Sequence, residues 1–150
     1  MMSDKFKLRF SIFVIWIFTI SGIFGVLSDF QDWFLALTPL SLLLSFLMII
    51  WHTKTYNLKL ILALSIPFFI GLITEVLGVN YGLIFGSYTY GENLGIKLFG
   101  VPLMICINWA LLTMASADIS KLLSKNIILS SIIGAALMTG LDLILEVSAP

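Results

Sequence analysis

The chain has 150 residues, of which 60% are hydrophobic and only 11% charged, and its mean hydropathy is +1.12; an ordinary soluble domain carries roughly 25% charged residues. Eight basic and eight acidic residues cancel, which leaves too few charges to cover a soluble surface and no basic excess for nucleic acid. A soluble globular enzyme, a disordered chain and a nucleic-acid binder are excluded, and with one cysteine (Cys106) and one histidine (His52) so are an internal disulfide and a Cys/His metal cluster.

A bilayer core of about 30 Å takes roughly 20 apolar residues in a helix. Five stretches approach that length. The basic N-terminus and the apolar run 10–27 look like a signal peptide. The run is too long for a cleaved segment and no small-x-small site follows, so it reads as a retained first span. The others are 33–51, 58–79, about 98–116, and 126–147. The expected fold is all-α: a polytopic membrane helix bundle of five transmembrane helices in a single integral membrane domain. Lys5, Lys7 and Arg9, then Lys54 and Lys59, then Lys121 and Lys125 all fall on one side of such a bundle. The other side has Lys97 alone, with Asp29 and Asp32. By the positive-inside rule the N-terminus is cytoplasmic and the C-terminus outside.

Between the third and fourth spans lies the outer loop 80–97. Gly82, Gly86, Gly91 and Gly95 alternate there with Tyr81, Phe85, Tyr88 and Tyr90, and Gly100 follows. Glycine permits tight turns and close backbone approach, and the aromatics supply flat apolar faces. The loop is either a lid that folds back at membrane depth under a cover of protein or an interfacial aromatic belt. Composition favours neither.

Three carboxyl groups lie within spans: Glu75, Asp142 and Glu146. Each costs on the order of 2.5–3.5 kcal/mol at mid-membrane and less near an end. With a rise of 1.5 Å per residue, Asp142 stands roughly 24 Å from the inner end of its span and Glu75 roughly 7 Å from the outer end of its own, so all three share the outer third. Pro67, Gly71, Glu75 and Gly78 follow i, i+4, i+8, i+11 spacing, a small and polar stripe that should face other helices. Ser131, Ala135, Met138, Asp142 and Glu146 form the corresponding face of the fifth helix, and Ala136 and Gly140 add a small-xxx-small contact. Asn108, beside Trp109 in the fourth span, needs a polar partner, and a bundle-facing carboxyl is a candidate. Two carboxyl groups one turn apart in low dielectric repel, so one should keep its proton, and a neutral acid beside an ionised one is an acid/base pair. The alternative is that protonated acids simply tie helices together. Glu146 is the weakest member because it lies nearest the interface. His52 reads as interfacial, Cys106 as packing, Met104, Met114 and Met138 as core, and Pro39, Pro67 and Pro102 as kink positions.

The run Glu75-Val76-Leu77-Gly78-Val79, then Gly82, then Phe85-Gly86-Ser87-Tyr88-Thr89-Tyr90, then Leu94-Gly95, then Gly100-Val101-Pro102-Leu103 and Trp109 resembles the carotenoid biosynthesis membrane protein family. That family includes bisanhydrobacterioruberin hydratase and the bacterial carotenoid 1,2-hydratases. Asp142 and Glu146 with Ala149-Pro150 look like its second acidic motif. The resemblance covers about 67–150. Family members continue past that motif with at least one more span, so a chain ending at Pro150 reads as a fragment or a shortened member.

The resemblance implies hydration of the terminal C1=C2 double bond of an acyclic carotenoid, in the prokaryotic plasma (inner) membrane. Protonation at C2 gives a tertiary cation at C1, and water adds to it. Glu75, Asp142 and Glu146 are then the expected catalytic groups. Tyr81, Phe85, Tyr88, Tyr90, Asn108 and Trp109 are the expected substrate contacts, and the faces of Tyr88, Tyr90 and Trp109 stabilise the cation. No cofactor and no metal are expected. The expected partners are a lipophilic carotenoid or isoprenoid substrate, membrane lipid and other carotenoid enzymes, with no nucleic acid. The rival readings are a non-enzymatic small transporter or assembly subunit with bundle-facing carboxylates, and an isoprenoid or lipid enzyme of another reaction type. No inverted repeat is visible to favour a transporter.

Overall fold

Long apolar stretches uninterrupted by turn residues become helices throughout the chain. The structure, a computed structural model, describes residues 4–84 and 86–148, with Asp142 and residues 145–148 described by their backbone alone. Helix α1 spans Asp4–Val26, α2 Gln31–Ala36, α3 Thr38–His52, α4 Leu58–Tyr81, α5 Leu103–Leu123 and α6 Ile127–Ser148. Helices α2 and α3 continue one another across Leu37, where Pro39 in the first turn of α3 supplies no N–H. With that pair taken as one, four helices are long and apolar enough to cross a membrane: Asp4–Val26, Gln31–His52, Leu58–Tyr81 and Leu103–Leu123. In α6 the described apolar stretch, Ile127–Leu141, is shorter.

Chain order does not set the packing order. Helix α5 is central: α4 packs against it most extensively, then α6, then α3, while α1 packs on α2 and α3. The interior is made of small residues. Gly71, Gly78, Cys106, Ala110, Ser120, Ser130 and Gly134 are buried, whereas Phe13, Trp16, Phe69, Ile73 and Leu122 are exposed. A chain whose solvent is lipid gains nothing by hiding large apolar groups and gains contact by bringing backbones close. On α1, Gly25 admits the ring of Phe34, into which a methyl group at this position would run.

Polar groups fix the helix ends and the contacts. Asn57 caps α4 by accepting from the Leu60 N–H, and Asn126 caps α6 by accepting from Ile128 and Leu129. The hydroxyls of Ser120 and Ser130 meet at 2.9 Å between α5 and α6, and Thr113 lies 3.4 Å from the Met138 sulfur. The seam on α6 is therefore Ser130, Gly134 and Met138. The face read from the sequence was offset, since Ser131 and Ala135 are exposed. At the far end of the bundle, Nε2 of His52 lies 2.9 Å from the Ser11 hydroxyl, and Lys7 donates to the Trp51 carbonyl with its ammonium 5.0 Å from the Trp51 ring. His52 is thus tied to α1 rather than only facing the interface.

The start of the expected fourth span is corrected. Residues 98–102 are not helical. Two short strands, β1 (Lys97–Leu98) and β2 (Val101–Pro102), pair antiparallel with Leu98 opposite Val101. Their turn residues, Phe99 and Gly100, have φ of 52° and 85°, the left-handed pair that a two-residue hairpin turn takes. Pro102 then serves as the N-cap of α5. A 3-10 turn at Glu92–Leu94 precedes the hairpin.

Candidate functional site

The expected stripe on α4 is buried throughout: Pro67, Gly71, Glu75 and Gly78. Its two glycines are notches. A methyl group on Gly71 would lie 2.5 Å from the Trp109 ring of α5, and one on Gly78 would lie 2.6 Å from the Tyr88 hydroxyl. Each notch admits an aromatic side chain beside Glu75, which is 6% exposed.

Three donors converge on that carboxyl group. The hydroxyls of Tyr88 and Tyr90 donate to Oε2 at 2.5 and 2.7 Å, and the Trp109 indole donates to Oε1 at 3.1 Å. The two tyrosine rings stand edge to face with centroids 5.5 Å apart. Burial first, and then the bond to Glu75, hold the Tyr90 phenol well above its ordinary range, so it keeps its proton and remains a donor.

The loop is shaped to deliver both tyrosines. Gly82, at φ 65°, ends α4 in the left-handed conformation, with its N–H on the Gly78 carbonyl. Lys97 donates to the Tyr90 backbone carbonyl at 2.9 Å and pairs with Glu92 at 2.7 Å. Asn80 donates to the Phe99 carbonyl at 3.0 Å, which anchors the hairpin to the end of α4. Of the two sequence readings of the loop, lid or belt, the lid describes Tyr88 and Tyr90, whose hydroxyls turn inward onto α4.

The other expected residues separate. Tyr81 is 72% exposed and outside the cluster. Asn108 makes no side-chain hydrogen bond among the described residues, so it is not the partner of Glu75. Phe85 lies outside the described residues, as do the side chains of Asp142 and Glu146. The backbone of α6 still gives a depth: Thr113 faces Met138, so one turn toward the loop on each antiparallel helix reaches Trp109 and Asp142. Asp142 therefore starts from the level of the indole that touches Glu75.

Sequence reasoning missed Asn80, Glu92 and Lys97 as loop anchors. Lys97 carried a signal, because it is the one basic residue on its side of the bundle. The tyrosines were read for their ring faces, whereas their hydroxyls make the bonds. An open groove of about 710 Å³ between α5 and α6 runs from Lys121 and Lys125 at the opposite end of these helices to Thr113 and Met138, one turn short of Trp109, and Glu75 is not among the residues that line it. Among the described residues no group of three or more His, Cys, Asp or Glu side chains could hold a metal ion.

The sequence model of the family described as carotenoid biosynthesis protein matches residues 36–149. The chain belongs to this family. The match covers every element from the end of α2 onward, and with it Glu75, its three donors and Asp142. No curated protein and no solved structure matches the chain. A carotenoid biosynthesis protein with four helices able to cross a bilayer is a membrane protein whose context is an isoprenoid substrate.

Proposed function

We propose that this carotenoid biosynthesis protein hydrates the terminal C1=C2 bond of an acyclic carotenoid end group in a prokaryotic plasma membrane. The observation that carries the reading is the buried Glu75 carboxyl, ringed by Tyr88, Tyr90 and Trp109 near the loop end of an apolar helix. A membrane-dissolved alkene needs proton transfer and stabilisation of a tertiary cation. Carboxyl groups supply the first, and aromatic faces with a nearby anion supply the second. Glu75 and Asp142 form the acid/base pair, with Glu146 as a third member. Phe85 and the aromatic loop receive the end group, and other carotenoid enzymes pass it on.

The test is expression in a bacterium that accumulates lycopene. The expected result is pigment heavier by one water, lost in Glu75→Gln and in Asp142→Asn while both variants remain in the membrane fraction at wild-type level. Unchanged hydration in both variants removes the site assignment. Absence of the product from the wild-type protein removes the hydratase reading in favour of a non-enzymatic membrane subunit.

A further inference from the structure

We propose that the groove between α5 and α6 is the berth of the substrate's polyene chain, which lies along α6 with one end turned toward Trp109 and Glu75. The choice of occupant rests on the carotenoid family of the chain, and the reach to Glu75 rests on the hydratase reading.

Small side chains open the groove. Gly134 is buried in the seam, where a methyl group would lie 3.5 Å from the Ser120 hydroxyl. Beside the seam, Ser131 and Ala135 of α6 are exposed and line the groove together with Ala117 of α5. The face of α6 that the sequence singles out at Ser131, Ala135 and Met138 is thus a wall of this groove. Its hydroxyls do not make the wall wet. Thr113 and Ser131 donate to the carbonyls of Trp109 and Ile127, four residues back, and the Ser130 hydroxyl meets that of Ser120. With these groups engaged inside the protein, the wall suits a hydrocarbon.

The dimensions select among hydrocarbon occupants. From Ile127 to Met138, helix α6 rises about 16 Å, and one turn further, at the level of Trp109, about 22 Å. A volume of about 710 Å³ over the first of these lengths leaves a width of about 7 Å. A helix is about 10–12 Å across and would rest on the rim, whereas a single extended chain fits inside. One leaflet is about 15 Å of hydrocarbon deep, so the acyl chain of a lipid anchored at Lys121 and Lys125 stops short of Trp109. A long isoprenoid chain has no headgroup to hold it at either surface and can follow the whole length. The loop end of the groove is also tied to the site: Thr113 bonds to the Trp109 carbonyl, and the Trp109 indole bonds to Glu75. Because the groove is open along its side, the chain enters from the bilayer without crossing water.

Ala135 and Ala136 are neighbours on α6 and both are exposed, but of the two only Ala135 lines the groove. Ala135→Phe should fill the slot, and Ala136→Phe should place the same ring in lipid. The probe is all-trans lycopene added to the protein in phosphatidylcholine nanodiscs, with empty discs as the blank. Lycopene is achiral and gains visible circular dichroism when held in a chiral site. Wild type and Ala136→Phe should give that signal, and Ala135→Phe should lose it while keeping the wild-type thermal midpoint. If Ala135→Phe does not fold, Ser131→Leu, also exposed in the groove, should lose the signal instead. A signal unchanged in a folded groove variant overturns the berth. With an altered oligomeric state that result gives the groove to a second copy, and with altered copurifying phospholipid to a lipid. No signal from the wild type, or equal loss in Ala136→Phe, also overturns the berth. Binding is read without turnover, so the two readings fail separately. A wild type that gives the signal and hydrates nothing removes the hydratase reading and leaves the berth. A wild type that hydrates while Ala135→Phe keeps the signal removes the berth alone.

Discussion

A methyl group added at Gly78 would come within 2.6 Å of the Tyr88 hydroxyl, and one added at Gly71 within 2.5 Å of the Trp109 ring. At Gly22, nothing lies within 4 Å. Alanine in the middle of a helix gains about 0.5–1 kcal/mol over glycine, whereas overfilling a packed contact costs about 1–3 kcal/mol. Opposite signs follow for chemically identical substitutions. Gly22→Ala should raise the thermal midpoint in detergent. Gly71→Ala should lower it by several degrees and disturb the Trp109 environment, measured by fluorescence after replacement of the other tryptophans. Gly78→Ala should cost less stability, because a loop side chain can yield, but should separate Tyr88 from Glu75 and reduce product formation. The Glu75 stripe was legible in the sequence because helical periodicity is a local property. Tyr88, Tyr90 and Trp109 were legible as site aromatics but not as donors to Glu75, because Trp109 arrives from another helix and the tyrosines arrive through a loop whose path depends on contacts with Asn80 and Lys97.

At the scale of elements, the least legible stretch was 98–102. The apolar run continues from Leu98 into α5, and hydropathy alone extends the helix backward through it. Gly100 and Pro102 break it instead, the first by entering the left-handed region and the second by ending the backbone donors. The hairpin holds Phe99 at φ 52°, a conformation that costs an ordinary side chain about 1–2 kcal/mol. Phe99 is 70% exposed and its backbone carbonyl accepts from Asn80, so the side chain contributes little to the anchor. Phe99→Gly should therefore stabilise the loop by about 1 kcal/mol and slow amide exchange in residues 96–103 as measured by mass spectrometry. Faster exchange there would mean that the ring anchors the hairpin. The Glu92–Lys97 ion pair matters less, since Glu92 is open to solvent and such pairs contribute about 0–1 kcal/mol.

Across the whole molecule, the eight basic residues sort by end of the helix bundle. Seven of the eight basic residues lie at the ends remote from the loop, and the loop carries Lys97. In a Cys106→Ala background, Glu92→Cys should react with a membrane-impermeant maleimide added to intact cells, and Lys125→Cys only after permeabilisation. The reverse pattern would invert the orientation. The sequence by itself determined the class of the protein, the long helices apart from the start of α5 and the break at Leu37, and Glu75 as a buried carboxyl on a small-residue face, because hydropathy and helical period act over a few neighbouring residues. Only the tertiary structure decided that α5 is the central helix, that the loop closes onto Glu75, and that two hydroxyls and an indole converge on its oxygens. Those bonds join residues 13 to 34 positions apart, and contacts at that separation are set by which surfaces fit together: here, by notches at Gly71 and Gly78 that only a packed partner reveals.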